Sequence, residues 1–134
     1  MIAVDSSVVV AAFASWHEGH HVAAAALKRK PRIPAHVLVE SYSVLTRLPA
    51  PHRAPPALVA RFLAAVFPEP PLMLPARDHQ RLIREVAQAG LAGGSIHDAL
   101  IAATVRHAGA RLLTRDRRAV SVYERLGAEY ELLA

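Results

Sequence analysis

Short strand-like segments alternate with longer helical segments along the whole of this 134-residue chain. Apolar runs predict strands at 2–4, 32–34, 72–74, 111–114 and 129–133. Helical spacing of apolar residues, together with cap and breaker residues, predicts helices at 5–14, 20–30, 35–48, 55–67, 78–89, 96–107 and 117–126. Such alternation is typical of βαβ units around a parallel sheet. The sequence therefore predicts an α/β fold, and its length favours one domain spanning residues 1–134.

The composition excludes several kinds of protein. The chain has no cysteine, so disulfide bonds and thiolate metal sites are excluded. Its longest apolar run, residues 8–14, is too short to cross a bilayer, and residues 1–4 lack the basic start of a signal peptide. We therefore expect a soluble, cytoplasmic protein with no membrane partner. A formal net charge of +5 and a pI of about 10.4 favour a polyanionic partner such as nucleic acid.

Four acidic residues lie where apolar stretches meet a turn or a helix, and they are Asp5, Glu40, Asp98 and Asp116. Asp5 and Asp116 follow predicted strands, and the carboxyl ends of the strands form the ligand-binding edge of an open parallel sheet. A carboxylate among hydrophobic residues is costly to desolvate unless it is paired, hydrogen-bonded or bound to a cation. The placement of these residues indicates one shared site for a hard metal ion.

Three of the four acids also have a purely local explanation. Asp5 and Asp116 each precede a predicted helix, where an aspartate commonly caps the first turn. Asp98 lies three residues after Ser95, so the two can form a capping box in which aspartate replaces the usual glutamate. The sequence alone leaves both capping and metal binding open for these positions.

Glu40 is harder to explain by local structure. It shares a predicted helical face with Val37 and Val44, and no lysine or arginine lies in the adjacent turns before Arg47. Two like charges about 4 Å apart repel by roughly 4 kcal/mol at an effective dielectric constant near 20. Four converging carboxylates therefore need raised pKa values or cations, and Mg²⁺ or Mn²⁺ is the hard ion that suits oxygen ligands.

These motifs, in this order, resemble those of PIN-domain ribonucleases, and specifically of the VapC toxins of bacterial toxin–antitoxin pairs. The resemblance rests on I-A-V-D-S-S at 2–7, on Glu40 within a helix, on S-I-H-D-A-L-I-A-A at 95–103 and on L-L-T-R-D-R-R at 112–118. It spans essentially the whole chain. The last two motifs at their observed separation are fairly specific, whereas the V-D-S opening alone is weak.

The resemblance implies a three-layer α/β/α sandwich with a mostly parallel central sheet, and the activity of a divalent-metal endoribonuclease that uses a metal-activated water. Around Mg²⁺ or Mn²⁺ it implies four metal-binding and catalytic residues, which are Asp5, Glu40, Asp98 and Asp116. Ser6 and Thr114 match the hydroxyl positions that support this quartet. The resemblance also implies a homodimer, an inhibitory cognate antitoxin, and an RNA substrate that is usually a tRNA or an rRNA.

Three arginines flank Asp116 and are candidates for binding substrate phosphates, namely Arg115, Arg117 and Arg118. Arginine suits this role because its guanidinium can contact a phosphate in a bidentate manner. The alternative is an ordinary solvated face at the start of a helix, and both interpretations stay open. Basic residues at a helix start oppose the helix dipole, which slightly favours a role outside helix stability.

Two other functions fit parts of the sequence. The segment at 17–21 matches H-E-x-x-H, so His17, Glu18 and His21 could form the site of a small zinc protease. Gly19 interrupts the helix that this motif requires and no third ligand is recognisable downstream, so we disfavour this interpretation. The other alternative is an RNA-binding module of the same fold without catalysis. The sequence identifies neither the RNA target, nor the antitoxin, nor the number of metal ions, nor the catalytic base.

Overall fold

Three parallel strands with regular hydrogen bonding form the centre of the sheet. In the computed structural model, which describes all 134 residues, they are β1 (Ile2–Val4), β2 (Arg111–Thr114) and β3 (Tyr130–Leu132), in the order β1-β2-β3. Val4 lies opposite Leu113, and Leu113 lies opposite Glu131. Val4 and Leu113 are fully buried, as expected for parallel strands that are covered on both faces.

The predicted strands at 32–34 and 72–74 do not form as strands, so these two predictions are wrong. Each segment pairs at a single position instead, where Arg32 bridges Ala3 and Pro34 bridges Leu72, both in parallel. Pro34 has no backbone N–H and cannot donate a hydrogen bond to a neighbouring strand. The two segments therefore extend the sheet beyond β1 by one residue pair each.

Seven α-helices surround the sheet. They are α1 (Ser6–Phe13), α2 (His20–Lys28), α3 (Ala35–Thr46), α4 (Pro56–Val66), α5 (His79–Gln88), α6 (Ser95–Ala108) and α7 (Val120–Arg125). A short 3-10 turn at Ala76–Asp78 precedes α5. Each α-helix corresponds to one predicted helical segment, and no boundary differs from the prediction by more than two residues except the start of α7. None of these helices has the length and the apolar character that crossing a bilayer requires.

The last helix starts later than the sequence predicts, at Val120 instead of Arg117. Asp116 accounts for the delay: its carboxylate accepts a hydrogen bond from the backbone N–H of Arg118 at 3.0 Å, and its carbonyl accepts one from Ala119 at 3.1 Å. These contacts form a turn between β2 and α7. Arg117 and Arg118 therefore lie in that turn and not in the first turn of a helix, so the helix dipole does not oppose their charges.

The helices form two groups whose members pack on one another, α1 to α4 and α5 to α7. Connections between parallel strands are right-handed, so connections that run in opposite directions along the sheet place their helices on opposite faces. One cluster of 31 buried hydrophobic residues fills the space between the layers. The sheet is thus covered on both sides, which confirms the α/β/α sandwich and its parallel sheet.

Candidate functional site

Asp5 is held at the carboxyl end of β1 by four hydrogen bonds. Its Oδ1 accepts from the backbone N–H of Ser7 at 3.0 Å and from the Ser7 hydroxyl at 2.5 Å. Its Oδ2 accepts from the hydroxyl of Tyr123 at 2.8 Å and from that of Thr114. Asp5 caps α1, as the local explanation predicted, and is only 2% exposed. A carboxylate has about four lone-pair positions, so donors within the protein already satisfy this one.

Thr114 connects Asp5 to Asp116. The Thr114 hydroxyl donates to Asp5 and also accepts a hydrogen bond from the backbone N–H of Asp116 at 3.0 Å. Ser7 adds a second link between the two strand ends, because its hydroxyl donates to Asp5 and accepts from the backbone N–H of Arg115 at 2.8 Å. The ends of β1 and β2 therefore place Asp5 and Asp116 at one edge of the sheet.

The electrostatics of Asp5 are dominated by its burial. Burial raises the pKa of the Asp5 carboxyl above its ordinary value of 3.8, because a charged carboxylate is costly to remove from water. Hydrogen bonds from Ser7, Thr114 and Tyr123 lower the pKa, but burial is the larger effect. Burial and the nearby Asp5 charge in turn raise the pKa of Tyr123, so its hydroxyl stays protonated and donates. A positive charge beside Asp5 would offset the cost of its own burial.

Asp98 and Glu40 face a shared cleft from two different helices. Asp98 is the fourth residue of α6, and Glu40 is the sixth residue of α3. Both line a solvent-open cleft of about 520 Å³, to which His97, Ser95 and Arg118 also contribute. Residues that are 58 positions apart in the chain thus line the same cavity.

The capping box expected from Ser95 and Asp98 does not form. Helix α6 begins at Ser95 itself, its N-cap is Gly94, and no side chain caps this end. The Asp98 carboxylate also makes no ion pair with a basic side chain. Helix capping therefore does not explain why an aspartate occupies this position.

The pKa of Asp98 depends on the other three acids. Burial raises the pKa of its carboxyl above 3.8, and the negative charges of Asp116 and Glu40 raise it further. Arg118 has the opposite effect, and Asp5 adds a smaller increase. The structure thus brings all four acids of the predicted quartet close enough for the other three to repel the charge of Asp98.

The three arginines beside Asp116 have different environments. Arg118 pairs with the Asp116 carboxylate at 3.5 Å and lines the acidic cleft, although 89% of its side chain is exposed. Arg117 is exposed and makes no ion pair. The guanidinium of Arg115 instead packs against Gly19, where a side chain would collide with it, and donates to the last backbone carbonyl at 3.3 Å. Arg117 and Arg118 are thus available to a ligand, whereas contacts within the fold occupy Arg115.

Two histidines contact each other beside the acidic cleft, and one of them, His97, lines it. The Nε2 atom of His36 and the Nδ1 atom of His97 are 3.1 Å apart, and the two rings are parallel to within 3°. The same Nε2 atom lies 3.9 Å from a carboxylate oxygen of Glu40, which is too far for a hydrogen bond. His97 directly precedes Asp98 in α6. The histidine pair therefore adjoins both acids that face the cleft.

The quartet fits a hard divalent cation, although no three of these side chains are already gathered around one point where an ion could sit. The donors are carboxylate oxygens, which Mg²⁺ and Mn²⁺ prefer, and Asp98 makes no ion pair with a basic side chain. Mg²⁺ keeps several waters and commonly uses one or two carboxylates, so an open arrangement suits it. Asp5 would contribute through water, or after exchanging one of its donors, because its lone pairs are already used.

Two contacts of Asp5 were not predicted from the sequence. The hydroxyl that reaches Asp5 belongs to Ser7, whereas Ser6, the predicted supporting residue, makes no side-chain hydrogen bond. Tyr123 reaches Asp5 from α7 and is 1% exposed. The sequence shows only a tyrosine in a predicted helix near its end, which does not reveal the partner of the hydroxyl. The supporting role of Ser6 stays a prediction, and the structure adds Ser7 and Tyr123 beside it.

The zinc-protease motif is not assembled. His17 lies in a turn before α2 and its Nδ1 accepts a hydrogen bond from the backbone N–H of Gly19 at 3.0 Å. His21 lies in the first turn of α2, so the two histidines do not share a helical face. The requirement that the motif places on its histidines is therefore not met.

Known proteins match this chain over almost its whole length. A family model for the PIN domain matches residues 2–125. The chain is 50% identical over 133 residues to ribonuclease VapC40 of Mycobacterium tuberculosis, covering 99% of each. The structure of M. tuberculosis VapC20, a Sarcin-Ricin loop cleaving toxin, superposes with a TM-score of 0.71 at 23% identity, covering 90% of this chain and 94% of that one. VapBC2 from Rickettsia felis, bound to a DNA fragment from its promoter, gives 0.66 at 17% identity over 98% of each chain. These two structural likenesses concern the fold alone.

Proposed function

This chain belongs to the PIN-domain family and, within it, to the VapC ribonucleases, and from that premise we propose that it hydrolyses RNA phosphodiester bonds as the toxin of a toxin–antitoxin pair. The observation that carries the proposal is that Glu40 and Asp98 line one cleft together with Arg118, whose guanidinium pairs with the Asp116 carboxylate. The raised pKa of Asp98 agrees with this arrangement. Perturbed carboxyl groups of this kind cluster at functional sites. The basic character of the chain as a whole suits an anionic substrate.

The proposed cofactor is Mg²⁺ or Mn²⁺, held by Asp98, Asp116 and Glu40, with Asp5 behind them. When bound, such an ion lowers the pKa of a water molecule and neutralises charge on the phosphoryl oxygens. The chain supplies the alignment, because the Thr114 hydroxyl ties together the two aspartates that follow β1 and β2. Glu40 and Asp98 lie on helices, Asp5 directly follows β1, and Asp116 begins the turn after β2.

The proposed substrate contacts are made by Arg118 and Arg117, which lie in the turn after β2 next to the acidic cleft. Arg118 already faces carboxylates, so its guanidinium is close to where a scissile phosphate would lie. Arg115 is a weaker candidate than the sequence suggests, because the fold occupies its guanidinium. By analogy with VapC20, which cleaves the Sarcin-Ricin loop, the substrate class we propose is a structured loop of tRNA or rRNA.

The decisive experiment is RNA cleavage by the purified chain with and without divalent metal. We expect cleavage with Mg²⁺ or Mn²⁺, none in EDTA, and no detectable cleavage by Asp5→Asn or Asp98→Asn while circular dichroism shows that each variant is folded. Glu69→Gln is the matched control, because Glu69 is an exposed acid outside the quartet. Cleavage that persists in EDTA, or in Asp98→Asn, would contradict the proposed metal site.

The same experiment separates the nuclease from its main alternative. An RNA-binding module of this fold would retain a labelled RNA in a gel-shift assay and leave it intact with metal present. Its binding would also survive Asp98→Asn, because removing a negative charge from the cleft does not weaken contacts to phosphate. Intact RNA at saturating protein and Mn²⁺ would therefore establish the module and reject the enzyme.

The proposed partner is a cognate antitoxin that places a helix in an apolar groove between α3 and α4. The groove is lined only by hydrophobic residues, namely Leu38, Val39, Tyr42, Ala60, Leu63, Ala64 and Phe67. Val39 is 68% exposed, and a groove between two helices suits the apolar face of a third. Because Val39 directly precedes Glu40 in α3, a segment that leaves the groove could reach the acidic cleft. The likeness to VapBC2, a toxin–antitoxin complex, supports this kind of partner.

The groove can be tested with the product of the neighbouring reading frame. Val39→Asp should abolish its co-purification with the tagged chain, because a charge would be buried against the partner helix. Ile83→Asp is the matched control, since Ile83 is 56% exposed on α5 and lies outside the groove. Equal co-purification by the two variants would show that the partner binds elsewhere.

A homodimer is the second proposed assembly. It rests on the family resemblance and on exposed apolar side chains outside the groove, among them Met73 at 62% and Leu58 at 43%. Sedimentation equilibrium of the chain without antitoxin should give about twice the monomer mass of 14.5 kDa. A single species of monomer mass at micromolar concentration would contradict the dimer.

A further inference from the structure

The histidine pair forms a direct bridge between α3 and α6. His36 belongs to the first turn of α3, and His97 belongs to the first turn of α6. Their nitrogens are 3.1 Å apart and their rings are parallel to within 3°, with centroids 5.1 Å apart. This short distance fits a hydrogen bond in which the N–H of one imidazole donates to the unprotonated nitrogen of the other. This is the only side-chain hydrogen bond between α3 and α6.

The bridge lies where it can set the spacing of two acids. His36 is four residues before Glu40, one turn away on the same face of α3, and its Nε2 atom lies 3.9 Å from the Glu40 carboxylate. His97 directly precedes Asp98. Glu40 and Asp98 both line one cleft, and their like charges repel. A bond that ties the two helices at this level opposes that repulsion.

We propose that His36 and His97 are a pair of positioning residues that holds Glu40 and Asp98 at the separation a divalent cation requires. The inference rests on the proposed function, because it concerns the same acidic site. Groups that orient metal-binding carboxylates commonly change metal affinity by about 10- to 100-fold when they are removed. The pair acts through the backbone of α3 and α6 and does not itself contact the ion.

The test is the affinity for Mn²⁺, measured by electron paramagnetic resonance or calorimetry without RNA. His97→Leu and His36→Leu should each weaken Mn²⁺ binding about ten-fold. His97→Asn and His36→Gln should restore most of it, because an amide then replaces the ring nitrogen at a similar distance from the backbone. His107→Leu is the matched control, since His107 is an exposed histidine on the same helix and lies away from the acidic cleft.

A double variant separates positioning from general damage to the fold. If the two histidines act only through their mutual bond, then His36→Leu combined with His97→Leu should weaken Mn²⁺ binding no more than either change alone. Thermal unfolding checks that every variant is folded, and the His36 variants remain informative if a His97 variant is not. Unchanged Mn²⁺ affinity in the leucine variants, or losses that multiply in the double variant, would overturn the proposal.

The outcomes also distinguish this inference from the proposed function and from a rival role. If the parent protein itself binds no Mn²⁺, the proposed metal site fails. If the parent binds Mn²⁺ and the leucine variants bind it equally well, only the positioning role fails. If those variants bind Mn²⁺ normally but lose affinity for an uncleavable oligonucleotide, the two rings are a stacking surface for a nucleobase, and positioning is rejected.

Discussion

The hydroxyl of Thr114 donates to the buried carboxylate of Asp5, although 109 residues separate the two in sequence. The same oxygen accepts from the backbone N–H of Asp116, so one threonine at the end of β2 joins the acids that follow two neighbouring strands. The pairing of β1 with β2 and the Thr114 hydroxyl therefore hold these two acids at one edge of the sheet. The contribution of this hydroxyl to stability can be measured in metal-free protein.

Replacing Thr114 by valine should lower the free energy of unfolding by about 1–3 kcal/mol, because the shape is kept while Asp5 loses a donor and Asp116 loses an acceptor. Urea unfolding in EDTA measures this loss. Thr46→Val is the matched control, since the Thr46 hydroxyl donates only to carbonyls of its own helix, and it should cost less than about 0.5 kcal/mol. Equal losses in the two variants would contradict a special role for Thr114.

The two adjacent serines should behave differently. Ser7→Ala removes a donor to Asp5 and the acceptor of the Arg115 N–H, so it should destabilise the protein by about 1–3 kcal/mol and reduce RNA cleavage. Ser6→Ala should change the free energy of unfolding by less than about 0.5 kcal/mol, because the Ser6 hydroxyl has no partner. Urea unfolding and a cleavage assay rank the pair. The opposite ranking would support Ser6 as the residue that supports Asp5.

Asp98→Asn should abolish cleavage and yet stabilise the metal-free protein at neutral pH. Burial and neighbouring carboxylates raise the pKa of Asp98 in the folded state, so folding favours the protonated carboxyl. That contribution is fully present below the unfolded pKa of about 3.8 and is lost as pH rises through the higher folded pKa. The variant should therefore match the parent near pH 3.5 and exceed it by up to about 1 kcal/mol at pH 7, after allowance for solvent screening.

The measurement for Asp98 is thermal unfolding as a function of pH at fixed ionic strength. Glu69→Gln should leave the pH dependence as it is in the parent, because Glu69 is exposed and outside the quartet. Mg²⁺ should stabilise the parent more than Asp98→Asn, since the ion offsets the same repulsion. A variant that is less stable than the parent at pH 7 would show that the repulsion does not govern this site.

Arg118→Gln should strengthen Mn²⁺ binding by about two- to five-fold, because an exposed ion pair with Asp116 is worth roughly 0.5–1 kcal/mol and competes with the ion. Arg117→Gln removes the same charge one residue away without breaking a carboxylate contact, so its effect should be smaller. Both variants should bind RNA more weakly, since each removes a positive charge that can meet a phosphate. Identical Mn²⁺ affinities in the two variants would leave only a general effect of net charge.

Most of the fold could be predicted from the sequence because local patterns carry it. Apolar runs marked β1, β2 and β3, and helical spacing marked all seven helices. The errors at 32–34 and 72–74 arise where prolines flank or interrupt short apolar runs, since the runs suggest strands but Pro34 cannot donate to a neighbour. The late start of α7 also has a specific cause, namely the turn that Asp116 caps with its carboxylate.

The acidic residues could be found from the sequence, but their partners could not. Asp5 and Asp116 follow strands whose carboxyl ends must share one edge, so their proximity follows from the topology. The choice between Ser6 and Ser7 depends on the rotation of one helical turn, which residue types do not specify. The contact of Tyr123 with Asp5 spans 118 residues and joins α7 to the residue that caps α1, so no local sequence pattern indicates it.

Hydrogen bonds from Ser7, Thr114 and Tyr123 occupy the lone pairs of the Asp5 carboxylate. A chelator should therefore abolish RNA cleavage without unfolding the protein, and the far-UV circular dichroism should be unchanged in EDTA. Adding the metal back to the folded chain should restore cleavage without a refolding step. In such a protein the ion is needed for catalysis, whereas the polypeptide alone holds the residues of the site in place.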